Sequence, residues 1–195
     1  MWLLDYVEKG TYMAFRKQLT DILECRGEKV LAVWGAGVRG IVAGIVLEEL
    51  GLEEFFYIDN AFPEQWIPYI KEGVSQRSEV FEEIGFKNAV IAKDFPSDDP
   101  EFDPDNIKYS CVRYAPVQIA NAMGPSWVDE RSGEIINASV YVYHDVISLL
   151  NKWLLVQTAP ADERVRTMNI PEEILGDALR YVISHEVGHC LGFMH

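Results

Sequence analysis

Apolar residues recur at helical spacing in three stretches of the chain after Pro63. Residues 66–84 carry one apolar stripe, which predicts an amphipathic helix, and Gly85 would end it. The same period returns over residues 146–157 and again from Pro171 onward. Pro171 suits a first helical turn, because proline loses no hydrogen bond at that position. The pattern therefore predicts three helices in this part of the chain.

Short or alternating apolar runs between the predicted helices indicate β-strands. The clearest is residues 134–143, where apolar and polar side chains alternate strictly, as in a strand with one face exposed. Glycine and proline mark a turn at residues 124–126 just before it. We therefore expect residues 134–143 to form the exposed edge strand of a mixed sheet. The other predicted strands are residues 55–58, 88–92 and 107–114.

A glycine-rich turn distinguishes the N-terminal part of the chain. A short apolar run leads into G-x-G-x-x-G, a helical pattern follows, and a second apolar run ends at Asp59. The three glycines of the motif are Gly35, Gly37 and Gly40. This order is that of a dinucleotide-binding βαβ unit, in which the glycines admit a pyrophosphate and the acid accepts from a ribose hydroxyl. A glycine-rich strand-to-helix turn without a ligand has the same pattern, and both interpretations stay open.

The pattern after Asp59 does not continue a doubly wound sheet, so the sequence divides into two regions. Residues 1–54 are predicted to be a Rossmann-like segment, and residues 55–195 a separate domain. The fold class expected for the whole is α/β to α+β, with a mixed twisted sheet preceded by the Rossmann-like βαβ start.

Composition and charge narrow the classes of function. A hydrophobic content of 49% over 195 residues is that of a globular protein. The 31 acidic residues outnumber the 17 basic ones, and a net charge of -14 repels phosphate backbones, which disfavours nucleic-acid binding. No apolar run approaches about 18 residues, so no membrane span is expected. An acid at position 5 is atypical of a signal peptide, and the three dispersed cysteines predict no disulfide framework.

The strongest chemical signal is the sequence H-E-V-G-H-C-L-G-F-M-H that begins at His185. Histidines four residues apart on a helix share a face, so His185 and His189 can bind one metal ion. Glu186 can reach a metal-bound water without ligating the metal, as a general base must. Gly192 can end the helix in a left-handed conformation, which lets the chain bring back His195 as a third ligand. Three neutral imidazoles leave a fourth position for water, the arrangement of a catalytic zinc site.

The motif H-E-x-x-H-x-x-G-x-x-H resembles that of the metzincins, which are zinc-dependent endopeptidases. From about residue 55 the sequence looks more closely like bacterial zinc-dependent metalloproteases, frequent in Bacteroidetes, that carry a domain of unknown function. The matching stretches are residues 56–59, 81–89, 109–114 and 133–138. The resemblance implies a zincin-like sheet with the active-site helix beneath it and an extended peptide paired along residues 134–143. The residues that it places against the substrate are Asn137, Ala138, Ser139 and Val140.

The resemblance carries two further expectations. Metzincins continue past their third histidine into a second subdomain with a methionine-containing turn, whereas this sequence stops at His195. The resemblance therefore implies an N-terminal subdomain of the catalytic domain. Because terminal residues fray unless something ties them down, we expect His195 to be positioned only when metal is present and cleavage to be weak or absent. The resembled family is exported, which gives a periplasmic or extracellular location as an expectation.

The leading hypothesis from sequence is zinc-dependent hydrolysis of peptide bonds in a peptide or protein substrate. In it, Zn²⁺ polarises the carbonyl and Glu186 takes a proton from the attacking water. One alternative is a nucleotide-binding Rossmann-like module with a non-catalytic metal site. A third is a metal-binding fragment without catalysis. His144, which directly follows a predicted strand, is expected to be a hydrogen-bonded structural residue.

Overall fold

The computed structural model describes residues 54–82, 88–131, 133, 135–167 and 169–193. Over these residues the protein is a mixed α/β structure with a mainly parallel sheet. Residues 1–53, which contain the glycine motif, and the predicted helix end at Gly85 lie outside the described residues. The Rossmann-like segment and the nucleotide-binding alternative therefore stay predictions.

The described residues form seven β-strands and three α-helices. The strands are β1 (Glu54–Ile58), β2 (Val90–Asp94), β3 (Ser110–Ala115), β4 (Ala122–Met123), β5 (Ser126–Val128), β6 (Ile135–Ala138) and β7 (Val140–Tyr143). The helices are α1 (Ile67–Glu82), α2 (Val146–Thr158) and α3 (Glu172–Cys190). Short 3-10 turns occur at Glu64–Trp66 and Glu163–Val165. The three helices confirm the predicted helical stretches, because their apolar stripes are long enough to show the helical period.

The main sheet has the strand order β2-β1-β3-β7-β4. Strands β2, β1, β3 and β7 run parallel, and β4 is antiparallel to β7. Strands β5 and β6 form a separate antiparallel pair. Helix α1 lies against β1 and β2, whereas α3 lies against β7 and β4 and also packs on α1. The antiparallel end of the sheet is therefore the end that meets α3.

The core lies between this sheet and the two long helices. Its innermost side chains are almost completely buried apolar groups from both layers: Phe56, Val112, Val140, Ile70, Val74, Leu179, Ile183 and Val187. Cys111 also belongs to the buried interior, where burial raises the pKa of its thiol to about 12 and keeps it neutral. Among the described residues, no helix is long and apolar enough to cross a membrane.

Asp59, the predicted ribose acceptor, follows β1 and has a structural role in the described region. Its carboxylate accepts from the backbone N–H groups of Ala61 at 3.0 Å and Tyr114 at 3.2 Å. The guanidinium Nε of Arg113 lies 3.4 Å from the same carboxylate. These donors tie the end of β1 to β3. The carboxylate that the nucleotide-binding alternative assigned to a ribose is thus already hydrogen-bonded within the sheet.

The prediction of an edge strand at residues 134–143 is wrong. The stretch breaks at Ser139 into β6, which pairs with β5, and β7, which lies between β3 and β4. The alternation that suggested an exposed edge also arises in an interior strand with one face on the core. The outer strand at this end of the sheet is Ala122–Met123. Gly124 and Pro125 follow it directly, so its sequence resembles part of a turn.

The four residues assigned to substrate binding on the strength of that edge are all buried. Their exposed fractions are 7% for Asn137, 5% for Ala138, 6% for Ser139 and 0% for Val140. The Asn137 amide donates to the carbonyls of Ile107 and Tyr109, and the Ser139 hydroxyl accepts from the N–H of Cys111. These bonds join the β6–β7 break to the segment that leads into β3. These residues were assigned to substrate binding because they were expected to lie on an exposed edge, and they do not.

Candidate metal centre

Helix α3 places the predicted metal-binding side chains in its last two turns. It begins after Pro171 with Glu172 and Glu173 in its first turn, where acids meet the positive end of the helix dipole. One face is held in the core by apolar residues that include Leu179, Ile183 and Val187. Because this face is fixed, the direction in which the helix presents its other side chains is fixed as well.

His185 and His189 bring their imidazole nitrogens together on α3. The two Nε2 atoms lie 3.0 Å apart and the ring centroids 4.6 Å apart, with the rings perpendicular. Two nitrogens at about 2.0 to 2.1 Å from a tetrahedral zinc ion would lie roughly 3.3 Å from each other. The observed separation is close to that value. The pair of imidazoles therefore fits one metal ion, as the four-residue spacing predicted.

The end of α3 prepares His189 for metal binding. Gly192 has φ +86°, its N–H bonds to the carbonyl of His189 at 2.9 Å, and the N–H of Phe193 bonds to the carbonyl of Gly188 at 3.0 Å. This pair of bonds is a Schellman motif, and it confirms the predicted left-handed helix end. It also places the Phe193 carbonyl 2.8 Å from Nδ1 of His189. A carbonyl can only accept, so Nδ1 carries a proton, and in the neutral ring the lone pair lies on Nε2, which faces Nε2 of His185.

Glu186 lies between the two histidines in sequence and is only 9% exposed. Its side chain lines a cleft that also contains His185. Its backbone carbonyl lies against the corner between β4 and β5, so close to Gly124 that an added methyl carbon would overlap it. The same methyl carbon would lie 3.1 Å from Sγ of Cys190. The end of the outer strand β4 thus contacts the turn of α3 that carries Glu186.

We expect Gly124→Ala to lower the free energy of unfolding by about 1 to 3 kcal/mol, the usual cost of overpacking a tight contact. The clashing atom is a backbone carbonyl, which cannot move unless the turn that carries Glu186 moves too. Urea unfolding measures the change. Val128→Ala, at an exposed position of β5, is the control and should have little effect. An unchanged urea midpoint for Gly124→Ala would contradict the contact.

Arg77 holds α3 from the opposite side. Its Nε donates to the carbonyl of Ser184 at 2.6 Å, so α1 is hydrogen-bonded to the residue that precedes His185. Burial lowers the pKa of Arg77 from its usual value, which means that the guanidinium is partly desolvated. A charge-assisted bond from a rigid guanidinium is among the stronger hydrogen bonds of proteins. The turn of α3 that carries His185 and Glu186 is therefore held by α1 as well as by the residue that follows β4.

A cleft of about 310 Å³ opens beside His185 and Glu186. Three elements enclose it: α2 on one side, α3 on the other, and the residues at the start of β4. The side chains that line it are Asn121, Ala122, Val146, Leu149, Leu150, Trp153, Gln157, Tyr181, Val182, His185 and Glu186. The cleft is mostly apolar, with a few polar groups at the end where the histidine and the glutamate lie.

The third predicted ligand, His195, lies outside the described residues. Within residues 54–82, 88–131, 133, 135–167 and 169–193 no group of three or more histidine, cysteine, aspartate or glutamate side chains could hold a metal ion. The structure therefore brings together two of the three predicted ligands, and the role and ordering of His195 stay predictions. Convergent imidazole nitrogens beside a carboxylate are a set of donors that suits zinc.

His144 has the structural role that the sequence predicted. Its Nδ1 is hydrogen-bonded to the hydroxyl of Tyr114. Its backbone N–H donates to the carbonyls of Ala115 and Val117 at 3.1 and 3.2 Å. The bonds link the end of β7 to the end of β3. His144 therefore stabilises the sheet, and a variant at this position is a control for variants of His185 and His189.

Several residues of the site were not predicted from the sequence. Asn121 and Ala122 line the cleft because β4 is the outer strand, and Trp153 lines it because α2 folds back over α3. An apolar stripe on residues 146–157 was visible, but such a stripe indicates a buried helix face as readily as a cleft wall. The contact of the Phe193 carbonyl with His189 could not be predicted from the sequence, because it depends on the position of the backbone and not on the side chain.

A family model described as Met-zincin matches residues 167–195, a short segment that contains α3 and the three motif histidines. The match agrees with the likeness to metzincins at the level of this segment, and it does not extend to the rest of the chain. The sequence matches no curated protein and no solved structure.

Proposed function

We propose that this chain is a zinc-dependent endopeptidase whose catalytic turn is His185, Glu186 and His189. The observation that carries the proposal is the convergence of two Nε2 atoms 3.0 Å apart, beside a carboxylate that lines a cleft. The Met-zincin match over residues 167–195 supports a metallopeptidase of this type. A bacterial, exported enzyme, as the sequence resemblance implies, is the finer form of the same proposal.

His185 and His189 would hold the zinc ion, with His195 as the third ligand that the motif supplies. When bound, zinc would polarise the substrate carbonyl and lower the pKa of a water molecule enough to make it a nucleophile at neutral pH. The bond from the His189 Nδ1–H to the Phe193 carbonyl favours the tautomer with its lone pair on Nε2, the atom that faces Nε2 of His185 and would bind zinc. The acceptor is the backbone carbonyl of Phe193, which the helix end holds in place. The orientation of the His189 ring therefore does not depend on a second side chain.

Glu186 would move the protons of the reaction. Its carboxylate accepts a proton from the attacking water as the oxygen–carbon bond forms, and then delivers it to the leaving amine as the C–N bond breaks. The low exposure of Glu186 keeps bulk water from competing for the carboxylate. The contact between its carbonyl and Gly124 fixes the backbone, so that the carboxylate keeps its position through both transfers.

The outer edge of β4 is the place where an extended peptide would bind. Within the described residues β4 has a strand partner on one side only, and it lies against the catalytic turn. A peptide that adds to such an edge gains main-chain hydrogen bonds whatever its sequence. This proposal moves the substrate from residues 137–140, which are buried, to Asn121–Met123.

The test is zinc-dependent cleavage of a mixed peptide library by the full chain, followed by mass spectrometry. We expect cleavage that stops after treatment with 1,10-phenanthroline and returns when Zn²⁺ is added, with bound zinc measured in parallel. A His185→Ala, His189→Ala double variant, which lacks both nitrogens, is the control for contaminating proteases. Cleavage that survives chelation, or that the double variant retains, would contradict the proposal.

A further inference from the structure

Helices α1 and α3 approach each other closely at regular intervals. A methyl carbon added to Gly176 would overlap the ring of Tyr69. One added to Gly73 would lie 2.7 Å from the carbonyl oxygen of Arg180. Both contacts move on by four residues along each helix, which is about one turn. The two helices therefore run in the same direction and stay in step along their contact.

The third contact in this series involves Arg77, one further turn along α1. Its Nε donates to the carbonyl of Ser184 at 2.6 Å, a bond that spans 107 residues. The rest of the guanidinium lies over Gly188, where an added methyl carbon would be 2.6 Å from Nη2 and 3.1 Å from Cζ. Arg77 thus spans one turn of α3, from Ser184 to Gly188. This is the turn that carries His185 and Glu186.

The hydrogen bond from Arg77 acts on the carbonyl that closes this turn. In an α-helix the N–H of residue 188 bonds to the carbonyl of residue 184. A carbonyl oxygen has two lone pairs, so it can accept this bond and the one from Arg77 together. The guanidinium can lie over position 188 only because glycine has no side chain there. A charge-assisted bond to the backbone therefore holds the turn against rotation about the helix axis.

We propose that Arg77 is a positioning residue of the metal centre, and that position 188 is glycine because the guanidinium of Arg77 crosses it. By holding the turn, Arg77 keeps Nε2 of His185 3.0 Å from Nε2 of His189. It also keeps Glu186 in place at the cleft. The effect on metal binding concerns the histidine pair alone, whereas the effect on cleavage rests on the proposed peptidase function.

Arg77→Ala should weaken zinc binding by about tenfold, as loss of an outer-shell partner does, and lower kcat at saturating zinc by about 10- to 100-fold. KM should stay within about threefold, because Arg77 does not line the cleft. Arg77→Lys keeps one charged donor for the Ser184 carbonyl and should restore part of both losses. The control is Ile70→Val, a core change on the same helix, which should leave zinc affinity and kcat unchanged.

Gly188→Ala separates positioning from stability. The new methyl group would displace the guanidinium of Arg77, which can move aside because it is the end of a flexible side chain. Alanine favours a helix more than glycine does, so the urea midpoint of unfolding should stay the same or rise. Zinc affinity and kcat should nevertheless fall to the levels of Arg77→Ala, because the same hydrogen bond is lost. The double variant should be no worse than either single variant.

Zinc competition against a fluorescent chelator tests the inference without any cleavage and so separates it from the proposed function. Unchanged zinc affinity for Arg77→Ala, together with zinc-dependent cleavage, would overturn the role of Arg77 and leave the peptidase function standing. The expected zinc affinities, together with cleavage that survives chelation, would contradict the peptidase function and support the role of Arg77. Losses that add in the double variant, or an equal loss in Ile70→Val, would overturn the inference. If Arg77→Ala does not fold, Gly188→Ala decides, because it leaves the Arg77 side chain intact.

Discussion

Replacing Glu186 by glutamine should lower peptide cleavage by about 10² to 10⁴-fold, the contribution that a positioned general base makes. Glutamine has nearly the same shape, so the packing of this 9% exposed side chain is kept while its ability to accept a proton is lost. Zinc affinity should remain within about threefold, because Glu186 is not a ligand in the proposed site. Cleavage rates with a fixed peptide and zinc competition against a fluorescent chelator measure the two effects.

Glu173→Gln is the matched control for this variant, because it makes the same chemical change at the other end of α3. It should retain full cleavage. Loss of zinc from Glu186→Gln would identify the glutamate as a ligand, and robust cleavage by this variant would remove its role as base. Either result would contradict the proposal that Glu186 transfers protons while His185 and His189 bind the metal.

Replacing His185 or His189 by alanine should weaken zinc binding by more than the 10- to 100-fold that loss of an outer-shell partner costs. Each change removes one of the two nitrogens that α3 brings within 3.0 Å of each other, and the remaining imidazole cannot replace it. Chelator competition measures the affinity, and circular dichroism shows whether the fold is kept. Cleavage should be lost with the metal.

His144→Ala is the control for the histidine variants. Its imidazole is bonded to Tyr114, away from the pair on α3, so zinc affinity should stay close to that of the unchanged protein. A loss of zinc affinity from His144→Ala equal to that from His185→Ala would show that the metal binds elsewhere.

The three helices could be predicted because each carries its own periodic signal. Residues 66–84 were predicted and Ile67–Glu82 is helical; Trp66 ends the 3-10 turn before the helix, and residues 83 and 84 lie outside the described residues. Residues 146–157 were predicted and Val146–Thr158 is helical. In these stretches the information lies within a dozen neighbouring residues, so no knowledge of distant partners is required.

The sheet edge could not be predicted, because a strand's neighbours depend on residues far away in sequence. Residues 134–143 alternate as an edge strand would, yet β7 lies between two other strands. The outer strand, Ala122–Met123, has only two residues and is followed by Gly124 and Pro125, so it resembles a turn. Whether a strand is interior or outer is decided by pairing and not by its own pattern.

In the candidate site, too, the local features could be predicted from the sequence and the long-range contacts could not. The spacing of His185, Glu186 and His189 is local, and the structure places the two imidazoles together as the motif predicted. The cleft is not local, since it needs α2 and the start of β4 to meet α3. Sequence alone therefore indicated the chemistry of the site, whereas the surface that would select a substrate became visible only in the fold.

The contacts that build the site differ greatly in sequence separation, and this sets an order for folding. His185 meets His189, and His189 meets Phe193, over four residues each, within one helical end that can form on a microsecond timescale. The bond from Arg77 to Ser184 spans 107 residues, and the Asp59 bond to Tyr114 spans 55. Such long loops close late and slow the assembly of the whole domain. We therefore expect the pair of imidazoles to come together before the cleft is complete, so that in the proposed peptidase metal binding would precede cleavage.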